Sequence, residues 1–224
     1  MANAHADPAN KTINYAEKYD LKSDPILSAP ELLQYGQPLV NVRTGQPPTI
    51  EEWQQMVRDI LLIPQVPESV CHTFAAAKKL FIFGYYEYSF STASQHYALL
   101  ALEAALQVRW SATLPRPCPV RYSNGVTTNF DNITHKLLYD HCRVDPKIIV
   151  NGDRFPRTNR KLAASLAKSR IITPQEEQRI IAGLDVRNDL SHLEFAPIMG
   201  ASAEMLSVVS ELINAMFDSV PLSV

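Results

Sequence analysis

The sequence is poor in cysteine and glycine, and it has no long apolar run. Its three cysteines, Cys71, Cys118 and Cys142, form no C-x-x-C pair, which favours reduced thiols over a disulfide framework. No window approaches the roughly 18 apolar residues of a membrane-spanning helix, and the first residues show no secretion signal. We therefore expect a cytoplasmic protein that does not contact membranes. With only 7 glycines, the chain also lacks the Gly-containing motifs of P-loop, dinucleotide-binding and serine-hydrolase proteins.

The net charge of −2 conceals a strongly basic middle segment. Residues 109–170 contain 12 basic and 4 acidic side chains, whereas residues 1–108 contain 7 and 11, and residues 171–224 contain 2 and 8. A local positive potential attracts phosphates even when the whole protein is acidic. The segment therefore indicates a nucleic-acid partner. The alternative is a solvated basic face that pairs with the acidic C-terminal block.

Apolar residues at helical spacing follow most of the chain, and several stretches begin with a capping signal. Thr49 and Thr173 each precede a glutamate by three residues, as in a capping box, and Thr158 is placed to cap another helix. We expect an all-α fold, a helical bundle of about five to seven helices over residues 49–224. An irregular N-terminal arm over residues 1–48 precedes it, because this stretch contains six prolines and little periodicity.

The longest predicted helix covers about Ser91 to Ala112. Its inward stripe is expected to consist of Tyr97, Leu100, Ala101, Ala104, Ala105 and Val108. Glu103 lies on a second, solvated stripe. Residues 114–130 and 145–157 are expected to be irregular loops that carry much of the basic charge, since neither contains an alternating strand pattern longer than a few residues.

The stretch Arg187-Asn188-Asp189-Leu190-Ser191-His192, near the end of a strongly capped helix, resembles the motif of RNase-type HEPN domains. In that family an Arg is followed after four to six residues by a His, and Asn is common directly after the Arg. The context is also similar, because a long helix with the acidic Glu103 precedes the motif and an amphipathic helix follows it. The resemblance implies a helical bundle over roughly residues 66–217.

The chemistry of these side chains suits RNA cleavage. At about 100° per residue, Asn188 and His192 share one helix face, and Arg187 and Ser191 share the adjacent face. Arg187 would stabilise charge on the scissile phosphate through its planar fork. His192 would move a proton near neutral pH, Asn188 would orient it, and Ser191 and Glu103 would support the site. The basic residues expected to bind RNA phosphates are Arg154, Arg157, Arg160 and Lys161.

The resemblance further implies a homodimer, in which two Arg–His pairs form one composite site that needs no metal or other cofactor. The expected activity is that of an endoribonuclease that leaves a 2′,3′-cyclic phosphate, as in a toxin or defence effector with a protein regulator or antitoxin. In one toxin branch a Tyr two residues after the His is modified by a partner, but this chain has Glu194 there.

Other interpretations of the same residues stay open. Arg187 could pair with Asp185 or Asp189 on a solvated surface, with His192 as a structural residue at the edge of the core. The domain could also be a non-catalytic HEPN-like module that binds a protein partner or a nucleotide. His135, Asp140, His141 and Cys142 match no zinc spacing, so we expect them to be helix surface and core.

Overall fold

The computed structural model describes residues 48–87, 89–191 and 201–218. In these ranges the chain forms seven helices and four short strands. The helices are α1 (Ile50–Arg58), α2 (Glu68–Phe83), α3 (Ser89–Ala112), α4 (His135–Val144), α5 (Asn159–Lys168), α6 (Pro174–Ser191) and α7 (Ala201–Asp218). The strands are β1 (Cys118–Arg121), β2 (Thr127–Phe130), β3 (Ile149–Val150) and β4 (Asp153–Arg154). The predicted arm falls almost wholly on residues 1–47, which lie outside the described residues.

The predicted helix starts are confirmed where a threonine caps the helix. At α1 the Thr49 hydroxyl accepts from the Glu52 backbone N–H, and the Glu52 carboxylate accepts from the Thr49 N–H at 2.8 Å. Thr173 and Glu176 make the same reciprocal pair of bonds at α6. Each box satisfies N–H groups that have no partner within the helix, so these starts depend on a few neighbouring residues.

Helix α3 lies at the centre and packs against α2, α4, α5, α6 and α7. Ala98, Leu99, Leu102 and Leu106 are buried in it, whereas Tyr97 and Val108, expected to face inward, are exposed. That part of the predicted stripe is wrong. A helix surrounded by several neighbours is apolar around much of its circumference, so its sequence does not single out one inward face.

The expectation of a purely helical fold is also incomplete, because the two predicted loops form a small antiparallel sheet. Its strand order is β2-β1-β3-β4, and Val120 of β1 pairs with Thr128 on one side and Val150 on the other. Cys118 and Val120 point into the core. Strands of two to four residues are too short to show an alternating pattern.

The sheet depends on a tight turn between β3 and β4. Asn151 and Gly152 both have positive φ, at 49° and 87°. This is the backbone requirement of a type I′ hairpin turn, for which Asn-Gly is the preferred pair. The hairpin directs the chain back to Phe155, which is buried against Trp110 of α3 with ring centroids 5.7 Å apart. The segment that begins α5 is thereby held next to α3 and α4.

The three cysteines are free, and Cys118 and Cys142 are buried. Burial raises the pKa of the Cys118 thiol. These two cysteines therefore act as small core residues.

Candidate functional site

A cavity of about 610 Å³ opens between α3, α4, α6 and the start of α5. Glu103 and Gln107 come from α3, and His135, Lys136 and Tyr139 come from α4. Helix α6 provides Leu184, Arg187 and Asn188. The start of α5 provides four further residues, which are Arg157, Thr158, Asn159 and Arg160. Four segments far apart in sequence thus meet at one concave surface.

Gly183 allows α6 to approach α3 at this point. A Cβ atom on Gly183 would lie 3.2 Å from the Leu99 side chain, which is a tight contact. One turn further along α6, the Arg187 Nε lies 3.2 Å from the Glu103 Oε1. The close approach of the two helices therefore places the predicted Arg beside the predicted carboxylate.

The pair of Arg187 and Glu103 is only partly open to solvent. Their side chains are 31 % and 16 % exposed. By the distance between its charged atoms, the contact is an ion pair. The guanidinium Nη1 lies 3.5 Å from the Asn188 amide oxygen. Arg187, Asn188 and Glu103, singled out from sequence, therefore share one site.

Of the two alternative partners of Arg187, the Asp189 side chain lies outside the described part of the chain, and Asp185 contacts a different arginine. Asp185 instead accepts a hydrogen bond from Arg160 of α5, and both side chains of this pair are about half exposed. The pair joins α5 to α6 at the rim of the cavity.

The predicted RNA-binding residues divide into two groups. Arg157 and Arg160 line the cavity, whereas Arg154 and Lys161 are exposed but do not line it. Lys136 of α4 is a further cation at the cavity that the sequence did not single out. The basic segment is not all surface, however, since Arg109 is buried with its guanidinium 5.9 Å from the centre of the Phe217 ring.

The α4 side of the cavity contains His135, which was expected from the sequence to belong to helix surface or core. The ring is buried at 7 % exposure, and its Nε2 lies 3.3 Å from the Pro156 carbonyl oxygen. Burial lowers the pKa of His135, although the Pro156 carbonyl opposes the shift, so the imidazole is neutral at pH 7. The His135 backbone N–H donates to the Ser111 hydroxyl at 2.9 Å, which fixes the start of α4 to the end of α3.

Of the predicted site residues, His192 lies outside the described residues. Glu194, two positions later, does so as well. Ser191 ends α6, and the structure describes its backbone only. The part of the site that the structure describes is therefore the Arg187, Asn188 and Glu103 group with its basic and aromatic surroundings.

The lining carries more positive than negative charge. Lys136, Arg157, Arg160 and Arg187 are cations, and Glu103 is the carboxylate among the lining residues. Two of these cations are compensated, since Arg187 pairs with Glu103 and Arg160 with Asp185. An anionic ligand with phosphate groups fits such a surface.

Comparison of the chain with protein-family models, curated proteins and solved structures finds no match. The likeness to HEPN domains therefore depends on the motif and its helical context.

Along the described part of the chain, no group of three or more His, Cys, Asp or Glu side chains could hold a metal ion. None of the helices described is long and apolar enough to cross a membrane.

Proposed function

We propose that this protein is an RNase-type HEPN-like domain that cleaves RNA without a metal ion. The observation that carries the proposal is the convergence of Arg187, Asn188 and Glu103 with the cationic residues Arg157 and Lys136 at one cavity. A guanidinium beside the scissile phosphate stabilises the charge that develops during phosphodiester cleavage. Cations along the flanking backbone bind the RNA strand. A cytoplasmic location, where the thiols would stay reduced, is part of the same proposal.

In the proposed reaction the ribose 2′-oxygen attacks the phosphorus, and the bond from phosphorus to the 5′-oxygen breaks. His192 takes the proton of the 2′-hydroxyl, and a second histidine delivers a proton to the departing 5′-oxygen. Arg187 stabilises the negative charge that develops on the phosphoryl oxygens. The products are a 2′,3′-cyclic phosphate and a 5′-hydroxyl, so no oxidant or metal takes part.

The second histidine is proposed to come from a second protomer across a two-fold axis, since one imidazole cannot serve both sides of the phosphate at once. The active species would then be a homodimer at micromolar concentration. Sedimentation that gives only a 25.1 kDa monomer throughout this range would remove the composite site. Activity as a toxin or defence effector under a protein regulator is part of the same proposal.

Glu103 partly neutralises the positive charge of Arg187, and this favours a second candidate function. An Arg already paired with a carboxylate suits a non-catalytic module that binds a nucleotide or protein partner. In that case the cavity would bind its ligand without cleaving it.

The test is to incubate purified protein with mixed single-stranded RNA in EDTA. We expect the wild-type protein to cut RNA and His192→Ala to lose about 10² to 10⁴ in rate, the usual value for a proton-transfer group. His96→Ala is the matched control, because His96 is a partly exposed histidine that does not line the cavity. Absence of cleavage by the wild type, or equal cleavage by His192→Ala, favours the non-catalytic module.

A further inference from the structure

The α4 side of the cavity contains aromatic side chains that the proposed cleavage does not use. It presents Lys136, Tyr139 and the buried His135 on one helix, next to Arg157 at the start of α5. Tyr139 follows His135 by four positions and Lys136 by three, so on α4 it neighbours both. We call these four residues the α4 wall.

Two cations of the α4 wall have no carboxylate partner in the described part of the chain. Lys136 and Arg157 are exposed, and neither forms an ion pair with any residue that the structure describes. The other two arginines of the cavity are paired with Glu103 and Asp185. The uncompensated positive charge is thus concentrated at the α4 wall, where it would attract a phosphate of the ligand.

The same wall carries an aromatic surface. Tyr139 is 40 % exposed, so part of its ring is accessible to a ligand. Its ring lies 6.3 Å from the His135 ring, at an angle of 32°. His135 in turn contacts Trp110 and Phe155 of the core, at 5.8 Å and 5.1 Å. The neutral, buried His135 ring therefore packs between Tyr139 and the core, and part of the Tyr139 ring stays exposed.

The size of the cavity decides what kind of ligand fits. A volume of about 610 Å³ lies within the range of roughly 300 to 1,000 Å³ typical of small-molecule sites. A phosphate alone would leave most of it empty. An open aromatic ring beside unpaired cations is the arrangement with which proteins bind the bases and backbone of single-stranded nucleic acid.

We infer that the α4 wall binds one nucleotide of a single-stranded RNA, with the base stacked on Tyr139 and its phosphate on Lys136 and Arg157. The Gln107 amide, which lines the same cavity, supplies hydrogen-bond groups for the base edge. The inference rests on the proposed function, because it makes this nucleotide a neighbour of the phosphate at Arg187. It adds a specificity subsite to the cleavage site.

The test measures fluorescence anisotropy of labelled 12-nucleotide single-stranded RNA, with and without one abasic position, in the cleavage-deficient His192→Ala background. We expect Tyr139→Ala to weaken binding by about 5- to 150-fold, the range for loss of one base–aromatic stack, and to abolish the preference for the intact over the abasic RNA. Tyr139→Phe keeps the ring and should stay within about threefold of the parent. Tyr97→Ala is the matched control, because Tyr97 is 41 % exposed and does not line the cavity.

Lys136→Gln provides a second measurement, which does not depend on the Tyr139 ring. It should reduce the slope of log affinity against log salt by about 0.7, the value for one phosphate contact on a single strand. Unchanged binding by both Tyr139→Ala and Lys136→Gln would overturn the subsite even if the wild type cleaves RNA. Conversely, loss of binding in these variants of a protein that never cleaves RNA would support the subsite and refute the nuclease.

Discussion

The ion pair between Arg187 and Glu103 should contribute measurably to stability, which separates it from ordinary surface pairs. Exposed ion pairs contribute about 0.2–1 kcal/mol, whereas removal of one partner of a buried pair costs about 3–5 kcal/mol. Side chains that are 31 % and 16 % exposed, with charged atoms 3.2 Å apart, lie between these limits. We therefore expect a coupling free energy of about 1–2 kcal/mol between the two residues.

A double-mutant cycle with Arg187→Ala and Glu103→Gln, followed by urea denaturation, measures this coupling. Arg187→Ala alone should lower the melting temperature by several degrees, since about 1 kcal/mol corresponds to roughly 2–4 °C for a protein of this size. Glu103→Gln on its own should cost less, because the charge it leaves unpaired, on Arg187, is the more exposed of the two, and the amide oxygen can still accept a hydrogen bond. The double variant should be more stable than the sum of the single effects predicts.

The pair of Arg179 and Glu211 provides the matched control. Its charged atoms are 2.8 Å apart, closer than those of Arg187 and Glu103, but its side chains are 46 % and 57 % exposed. Its coupling should not exceed about 1 kcal/mol. If the two cycles give the same coupling, partial burial does not strengthen the Arg187 contact, and the account of that pair is wrong.

Three further predictions concern charge and backbone geometry. Arg157→Ala should reduce the salt dependence of RNA binding by about 0.7 in slope, and an equal reduction by Lys147→Ala, an exposed residue outside the cavity, would show that the cavity is not the binding surface. Burial lowers the pKa of Lys78 to about 8, so the folded state releases this proton before the unfolded state does and stability should rise between about pH 8 and 10.5. That rise, up to about 3 kcal/mol, should be absent in Lys78→Met, and parallel pH profiles of the two proteins in urea denaturation would contradict it. Gly152→Ala should cost about 1 kcal/mol, because φ is 87° although a Cβ would have free space, whereas an unchanged urea midpoint would mean that the turn tolerates an L-residue.

The helix starts were predictable because the capping residues act locally. Thr49, Thr158 and Thr173 each bond to an N–H within three residues, so a few letters of sequence determine them. The inward face of α3 was not predictable in the same way. Which residues of a central helix face solvent depends on where five other helices pack, and Tyr97 and Val108 were therefore misplaced.

The sheet could have been found in part. Asn151-Gly152 between Ile149-Val150 and Asp153-Arg154 is a strong short-range hairpin signal, although the strands on either side are too short to show a period. The pairing of β1 with β3 joins residues about thirty positions apart, and no local pattern specifies it. The sheet therefore follows from tertiary packing as much as from local sequence.

The candidate site was predictable where a motif marked it and unpredictable where only the fold assembles it. Arg187 and Asn188 are adjacent in a motif, and Glu103 was expected from its place on the preceding long helix. His135 and Tyr139 carry no motif, and they reach the cavity because Ser111 and Pro156 hold the start of α4 in place. Such contacts between distant segments leave no trace in the spacing of residues.

The most direct test of metal-independent RNA cleavage compares one single-stranded RNA with the DNA of the same sequence, incubated with the protein in EDTA. We expect that the RNA alone is cut, that the products carry 2′,3′-cyclic phosphate and 5′-hydroxyl ends, and that Arg187→Lys is slower by about tenfold or more because it loses the bidentate fork. Cleavage of the DNA, cleavage that requires added metal, or 5′-phosphate ends on the products would contradict the proposed attack by the 2′-hydroxyl.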